Sequence, residues 1–151
     1  MQEFSRSLPM MLYRTLDAVM PRFRHIFNEF GLTEQQWRVL RVLWQHDQIA
    51  FHELAELTLI PAPSLVGVVD RLTKSGLAGR RRSETDRRNV FVYATKQGLG
   101  LETQVRPRVD EAYQELRASV DDRTWNALIK GLEKISSTDN IAGGRKKASN
   151  E

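Results

Sequence analysis

Between Leu77 and Thr95 the apolar residues stop recurring every three or four positions and start to alternate. LAGRRR and NVFVYAT are two extended runs separated by the polar turn SETDRR, with Val90, Val92 and Ala94 alternating with Phe91 and Tyr93. This pattern predicts a β-hairpin, though without the Asn-Gly signal of a two-residue turn. With helical spacing before and after it, the hairpin makes the chain α+β, mainly α. It is also the most charged stretch: Arg80, Arg81, Arg82, Arg87 and Arg88 lie within nine residues, in a chain of 151 whose net charge is only +4. Guanidinium groups so crowded repel one another unless something negative lies opposite. Duplex DNA is the expected counterpart.

The helices are read from apolar spacing. Leu12, Leu16, Val19, Met20, Phe23, Ile26, Phe27 and Phe30 mark one face of a first helix, with Pro9 in its first turn. Pro21 removes a backbone donor inside it and predicts a kink or a break into two helices. Gly31 ends that helix; Thr33 caps the next, with Gln36 at capping-box spacing and Trp37, Leu40, Leu43 and Trp44 as the buried stripe. QIAF is too short for more than an isolated strand, and FHELAELTLI reads as a short helix with Leu54, Leu57 and Ile60 inward. A further helix has Pro61 and Pro63 in its first turn and Gly76 at its close. It carries Leu65, Val68, Val69 and Leu72 on one face and Ser64, Gly67, Arg71 and Lys74 on the other. After the hairpin, Leu101, Val105, Val109, Tyr113, Leu116 and Val120 space a long helix that Pro107 interrupts. Asp121 or Asp122 then caps a last helix with Trp125, Leu128, Ile129, Leu132 and Ile135 as its stripe. The final segment, 138–151, has no periodicity and is expected to fray as a disordered tail.

Several function classes drop out. There is no cysteine, so disulfides, thiolate metal sites and cysteine nucleophiles are excluded. His25, His46 and His52 have no paired ligands at metal spacing, which predicts no metal site and no cofactor. Neither a serine–histidine–acid grouping nor a glycine-rich phosphate loop occurs, so no catalytic residues are expected and the chain is not read as an enzyme. No apolar run approaches the roughly 18 residues of a membrane span, and no leader pattern opens the chain, which predicts a cytoplasmic protein without membrane partners.

A short helix, a tight turn, a second helix and an arginine-tipped hairpin have the layout of a winged helix-turn-helix. In that module the second helix enters the major groove and the hairpin, or wing, reaches a neighbouring minor groove, whose deep negative potential attracts arginine. Asp86, inside the turn, is expected to hold an arginine in one rotamer by a charge-assisted bond.

TEQQWRVLRVL, DRLTKSGL and SETDRRNVFVYATKQG together resemble the MarR family of bacterial transcription regulators, whose wing carries Asp-x-Arg, a strand and Thr-x-x-Gly. Those positions are Asp86, Arg88, Thr95 and Gly98, and the resemblance runs from about Leu8 to Ile135. Within the family, the LTEQQWR opening is similar to that of repressors of aromatic-acid catabolic operons. The resemblance implies a homodimer that binds a palindromic operator, with residues 1–31 and 96–137 as helical dimerisation region and 32–95 as DNA-binding domain. It matches Ser64, Gly67, Arg71, Asp86 and Arg88 to DNA-binding positions; Pro63 and Lys74 on the same helix and Arg80, Arg82 and Arg87 in the arginine cluster are read as further contacts, with surface solubility an alternative for Arg71 and Lys74. It implies a small aromatic carboxylate as effector and a pocket near Trp37; Arg14, His25 and Arg41 are further candidate binding residues, with a plain surface arginine as the default reading of Arg14. Ala62, Pro63 and Gly67 depart from the polar residues usual in the recognition helix, leaving few side chains to read base edges; small apolar groups there suit thymine methyls. An effector-independent architectural DNA binder and a winged-helix scaffold that contacts protein stay open as alternatives.

Overall fold

The computed structural model describes residues 3–86 and 88–137. After a 3-10 turn at Phe4–Arg6, the elements are α1 (Leu8–Glu29), α2 (Glu34–Leu43), β1 (Ile49–Ala50), α3 (Phe51–Thr58), α4 (Ala62–Lys74), β2 (Ala78–Arg82), β3 (Val90–Ala94), α5 (Lys96–Ala118) and α6 (Asp122–Ser136). They divide into two compact units, Met1–Ala112 and Tyr113 onward. The tail expected over 138–151 lies outside the described residues.

Local chemistry sets the helix ends. Thr33 Oγ1 accepts from the Gln36 amide at 3.2 Å while Gln36 Oε1 accepts from the Thr33 amide at 2.9 Å, the reciprocal box read from the sequence. Gly31 and Gly76 have φ of 68° and 72°, and each closes its helix with paired bonds. Leu32 N–H donates to Phe27 O and Gly31 N–H to Asn28 O; Leu77 N–H donates to Leu72 O and Gly76 N–H to Thr73 O. That pairing satisfies the last carbonyls only if the intervening residue is left-handed, which glycine does without penalty.

Neither proline ends its helix, so Pro21 does not split α1 in two and Pro107 does not interrupt α5. Each proline sits on an exposed face, as do Asp17 and Thr103, whose carbonyls lose their amide partners. Water can serve those carbonyls, so the helices continue.

The first unit is built around Phe27, Val39, Leu40, Leu43, Leu54, Leu65, Val68, Val69, Leu72, Val92 and Val105, all essentially without solvent exposure. Leu57, expected inward, is 58% exposed: α3 ends one residue later, and the chain turns at Leu59 before Ile60 re-enters the core. Trp37, Trp44 and Trp125 are half-buried, flanking the apolar interior rather than filling it.

β1, β3 and β2 form one antiparallel sheet in that order. The supposedly isolated strand therefore has a partner: Ile49 lies opposite Val92 and Ala50 opposite Phe91. The hairpin register runs from Ala78 opposite Ala94 to Arg82 opposite Val90. In the second unit Asp121 caps α6 by accepting from the Thr124 amide and hydroxyl at 2.9 and 2.7 Å, which holds its carboxyl below the usual value. Trp125 meets Tyr113 edge-on at 6.1 Å and lies under the Arg117 guanidinium, yet no residue of α6 is buried in the single chain.

Candidate nucleic-acid interface

α3 and α4 are joined through Leu59, a non-glycine residue held at φ 54° by its N–H bond to Glu56 O and by the burial of Ile60 beyond it. The left-handed conformation costs leucine about 1–2 kcal/mol, and only a well-anchored turn sustains it. α4 buries Leu65, Val68, Val69 and Leu72, which leaves Pro63, Ser64, Arg71 and Lys74 exposed and Gly67 half-exposed. Two of the four amide donors usually orphaned at a helix start are absent here, because residues 61 and 63 are proline; those of Ala62 and Ser64 remain.

The wing turn is ordered by its own polar groups. Ser83 Oγ accepts from the amides of Thr85 and Asp86 at 3.3 and 3.2 Å, Ser83 N–H donates to Asn89 O, and Asn89 N–H donates to Asp86 O. Among the described residues Asp86 orients Arg88 through its backbone: Oδ1 accepts from the Arg88 amide at 3.0 Å, and Oδ2 faces Asn89 Nδ2 at 3.4 Å. A carboxylate two residues before an amide closes a small ring that fixes the backbone of the turn without fixing a long side chain. Arg87, also expected here, lies outside the described residues.

A concavity of about 610 Å³ opens between wing, α4 and the start of α3, lined by Phe51, His52, Val66, Arg80, Arg82, Arg88, Asn89 and Val90. It gathers Arg82 and Arg88, which engage in no ion pair among the described residues. Arg80 behaves otherwise: its Nη2 lies 2.6 Å from Asp70 Oδ1 and 3.2 Å from Val66 O, both on α4. Arg81 bonds Gln48 Oε1. Phe51, His52 and Asn89 were not read from the sequence as residues of the interface. The signal that would have found the first two is the β1–β3 pairing, which carries the first turn of α3 to the wing base.

The candidate effector residues are only partly together. Phe27 stacks on Trp37 at 4.8 Å, Trp37 meets Trp44 edge-on at 5.4 Å, and the Arg41 guanidinium lies 5.8 Å from the Trp37 ring centre. Arg14 stands on the exposed part of α1, 11 residues before His25. His25 Nε2 is 3.3 Å from Glu29 Oε1, and the other Glu29 oxygen pairs with Arg108 of α5 at 3.2 Å. Near the α2 start, Glu34 takes Arg24 of α1 at 3.0 Å and Arg38 at 2.8 Å. Partial burial acts to raise the Glu34 carboxyl, but bonds and charge from the two arginines outweigh it and hold it below its ordinary value.

One chain of contacts links the aromatic stack to the wing. Trp44 Nε1 donates to Gly98 O at 2.9 Å, Gly98 N–H donates to Thr95 Oγ1 at 3.1 Å, and Thr95 Oγ1 donates to Gly76 O at 2.5 Å. The Thr-x-x-Gly run is thus the joint where α5 leaves the sheet and meets the turn after α4.

No helix among the described residues is long and apolar enough to cross a membrane. None of their His, Asp and Glu side chains gather in a group of three or more that could hold a metal ion. The sequence profile of the MarR family matches residues 30–89. The homoprotocatechuate degradative operon repressor of Escherichia coli is 33% identical over 129 residues, covering 85% of this chain and 87% of that protein. The HTH-type transcriptional regulator FarR of Neisseria gonorrhoeae is 36% identical over 126 residues, covering 83% and 86%. Among solved structures, that of NadR in complex with 4-hydroxyphenylacetate is similar at a TM-score of 0.77 and 31% identity, over 91% of this chain and 98% of that one.

Proposed function

The chain belongs to the MarR family and is a transcriptional regulator, not an enzyme; on that premise we propose a homodimeric repressor of an aromatic-acid breakdown operon, released by a small aromatic carboxylate. The observation that carries the DNA reading is the convergence of Arg82 and Arg88, unpaired among the described residues, beside the exposed face of α4. Like charges held together without an acidic partner repel one another, and a phosphate backbone reverses the sign of that energy. In this reading residues 32–95 bind the operator through Pro63, Ser64, Gly67, Arg71, Lys74, Arg82 and Arg88, with Arg87 beside them in the chain.

Dimerisation is assigned to residues 1–31 and 96–137. Leu8, Met11, Leu12 and Leu16 of α1 and Leu128 and Ile135 of α6 are exposed in the single chain, apolar surface that a second copy would cover. The effector class is supported by the E. coli relative, named for homoprotocatechuate degradation, and by the 4-hydroxyphenylacetate held by NadR. Arg14 supplies a bidentate partner for a carboxylate, and Trp37 with Arg41 and His25 supplies aromatic and polar surface. Release requires the ligand to prefer a dimer geometry in which the two α4 helices no longer match half-sites one helical turn apart. A ligand that binds both geometries equally releases nothing.

The test is a titration of duplex binding, on DNA from the chain's own upstream region, with 4-hydroxyphenylacetate and homoprotocatechuate. Affinity should fall as acid is added. Affinity unmoved by either acid sinks the effector assignment and favours the architectural binder.

Gly67 adds a prediction of opposite signs. A Cβ there would meet nothing closer than Arg71 Nη1 at 3.5 Å, ordinary contact, so nothing inside the protein requires glycine. Mid-helix glycine costs roughly 0.5–1 kcal/mol relative to alanine. Gly67→Ala is therefore expected to raise the melting temperature while weakening operator binding, because the added methyl stands where the groove must approach. A stabilised variant with unchanged affinity would show that α4 does not approach DNA at this point.

A further inference from the structure

Arg80 differs from Arg82 and Arg88 in where its guanidinium goes. It springs from the middle of β2, opposite Val92, and reaches across to α4, where one nitrogen serves both the Asp70 carboxylate at 2.6 Å and the Val66 carbonyl at 3.2 Å. Val66 and Asp70 are four residues apart, one turn of the same helix. A single side chain thus ties the wing to the recognition helix across a full turn. The only covalent link on that side is the short connection Ser75–Leu77 between the end of α4 and the start of β2.

We infer that Asp70 and Arg80 form a strap that fixes the distance and angle between recognition helix and wing, so that both are positioning residues for DNA binding and neither is a phosphate contact. The inference rests on the reading of the chain as a DNA-binding regulator. Its physical basis is that α4 and the wing must fit two neighbouring grooves at once, and misplacement of either costs contacts made by the other. The Arg80 charge is largely neutralised by Asp70, which leaves it little to offer a phosphate. Asp70 in turn is an acid, its side chain 46% exposed, on the element that approaches a polyanion. Without a positioning role it would only repel DNA.

That sign makes the strap testable. If Asp70 merely repelled phosphate, Asp70→Asn would tighten binding. The strap requires the reverse: Asp70→Asn and Arg80→Ala each weaken binding about fivefold per wing, the upper range for coupling of an exposed ion pair. Each leaves the slope of log affinity against log salt unchanged, and the double variant is no weaker than the worse single one. Fluorescence anisotropy on a labelled duplex across a salt series reads all three quantities, and matched thermal melts confirm that the exposed substitutions leave the fold intact. Tighter binding by Asp70→Asn overturns the strap, as does a slope shallower by about 0.9 per wing in Arg80→Ala, the signature of a lost phosphate contact. Additive losses overturn it too. If the unaltered protein binds duplexes without any salt dependence, the DNA reading itself falls and the strap with it, a result separable from the others because it needs no variant.

Discussion

Replacing Arg88 with alanine is expected to weaken operator binding about 5- to 150-fold, corresponding to the roughly 1–3 kcal/mol that one well-placed arginine contact contributes. The expectation comes from preparation of the site rather than from charge alone. Arg88 is exposed at the end of a turn whose backbone is fixed by Ser83, Asp86 and Asn89, so its side chain starts from a settled base and loses less freedom on binding than one on a loose loop. It borders the concavity with Arg82, and among the described residues no acid competes for it. Two comparisons separate the contributions. Arg88→Lys keeps the charge and should keep the salt slope, but recovers only part of the affinity, since a compact ammonium suits a narrow minor groove less well than a planar guanidinium. Asp86→Ala keeps Arg88 but removes the acceptor for its backbone amide, and should cost less than Arg88→Ala while raising the entropic penalty of binding. Affinity unchanged in Arg88→Ala would mean that the wing does not touch DNA.

The parts of this arrangement that sequence revealed are those whose chemistry is local. The Thr33–Gln36 box, the two closing glycines and the buried face of α4 all follow from residues within one or two turns of each other, and they stand where the spacing placed them. The helices continue through Pro21 and Pro107 because the cost of an interior proline depends on whether water reaches the carbonyl one turn back, a property of tertiary exposure. Leu57 was misread because in a helix of eight residues a one-residue change in the end point decides which leucines face inward. The arginine cluster was legible as charge, but not as a division of labour. Arg80 finds its acid ten residues earlier on α4, and that acid becomes a partner only once β2 folds back beside the helix. Nothing in RRRSETDRR distinguishes Arg80 from Arg82, which borders the same concavity.

Gly98→Ala is expected to be among the most damaging single-atom additions the chain can receive, with a loss of about 3 kcal/mol or more, since overpacking a site that cannot relax reaches or exceeds the usual range. A Cβ at Gly98 would stand 2.0 Å from the carbonyl oxygen of Leu77 and 3.0 Å from its carbon. Those are backbone atoms, and they cannot swing aside: Leu77 O accepts the Thr95 amide at 3.1 Å, and Leu77 N–H closes the end of α4 on Leu72 O. Gly98 is fixed in turn, its amide on Thr95 Oγ1 and its carbonyl under Trp44 Nε1. To admit one methyl, the first turn of α5 must pull away from the turn after α4, breaking the joint that carries the sheet, the recognition helix and the aromatic stack together. For a chain of this size the melting temperature should drop by about 6–12 °C at matched protein concentration. Gly100→Ala is the control: two residues on in the same helix, its Cβ would meet nothing within 4 Å, so the change should be neutral or stabilising by up to about 1 kcal/mol. Because alanine is the better helix former, similar losses in both variants would trace the damage to a surface of α5 that the two positions share, and the close approach of Gly98 to Leu77 would then not be what holds α5 in place.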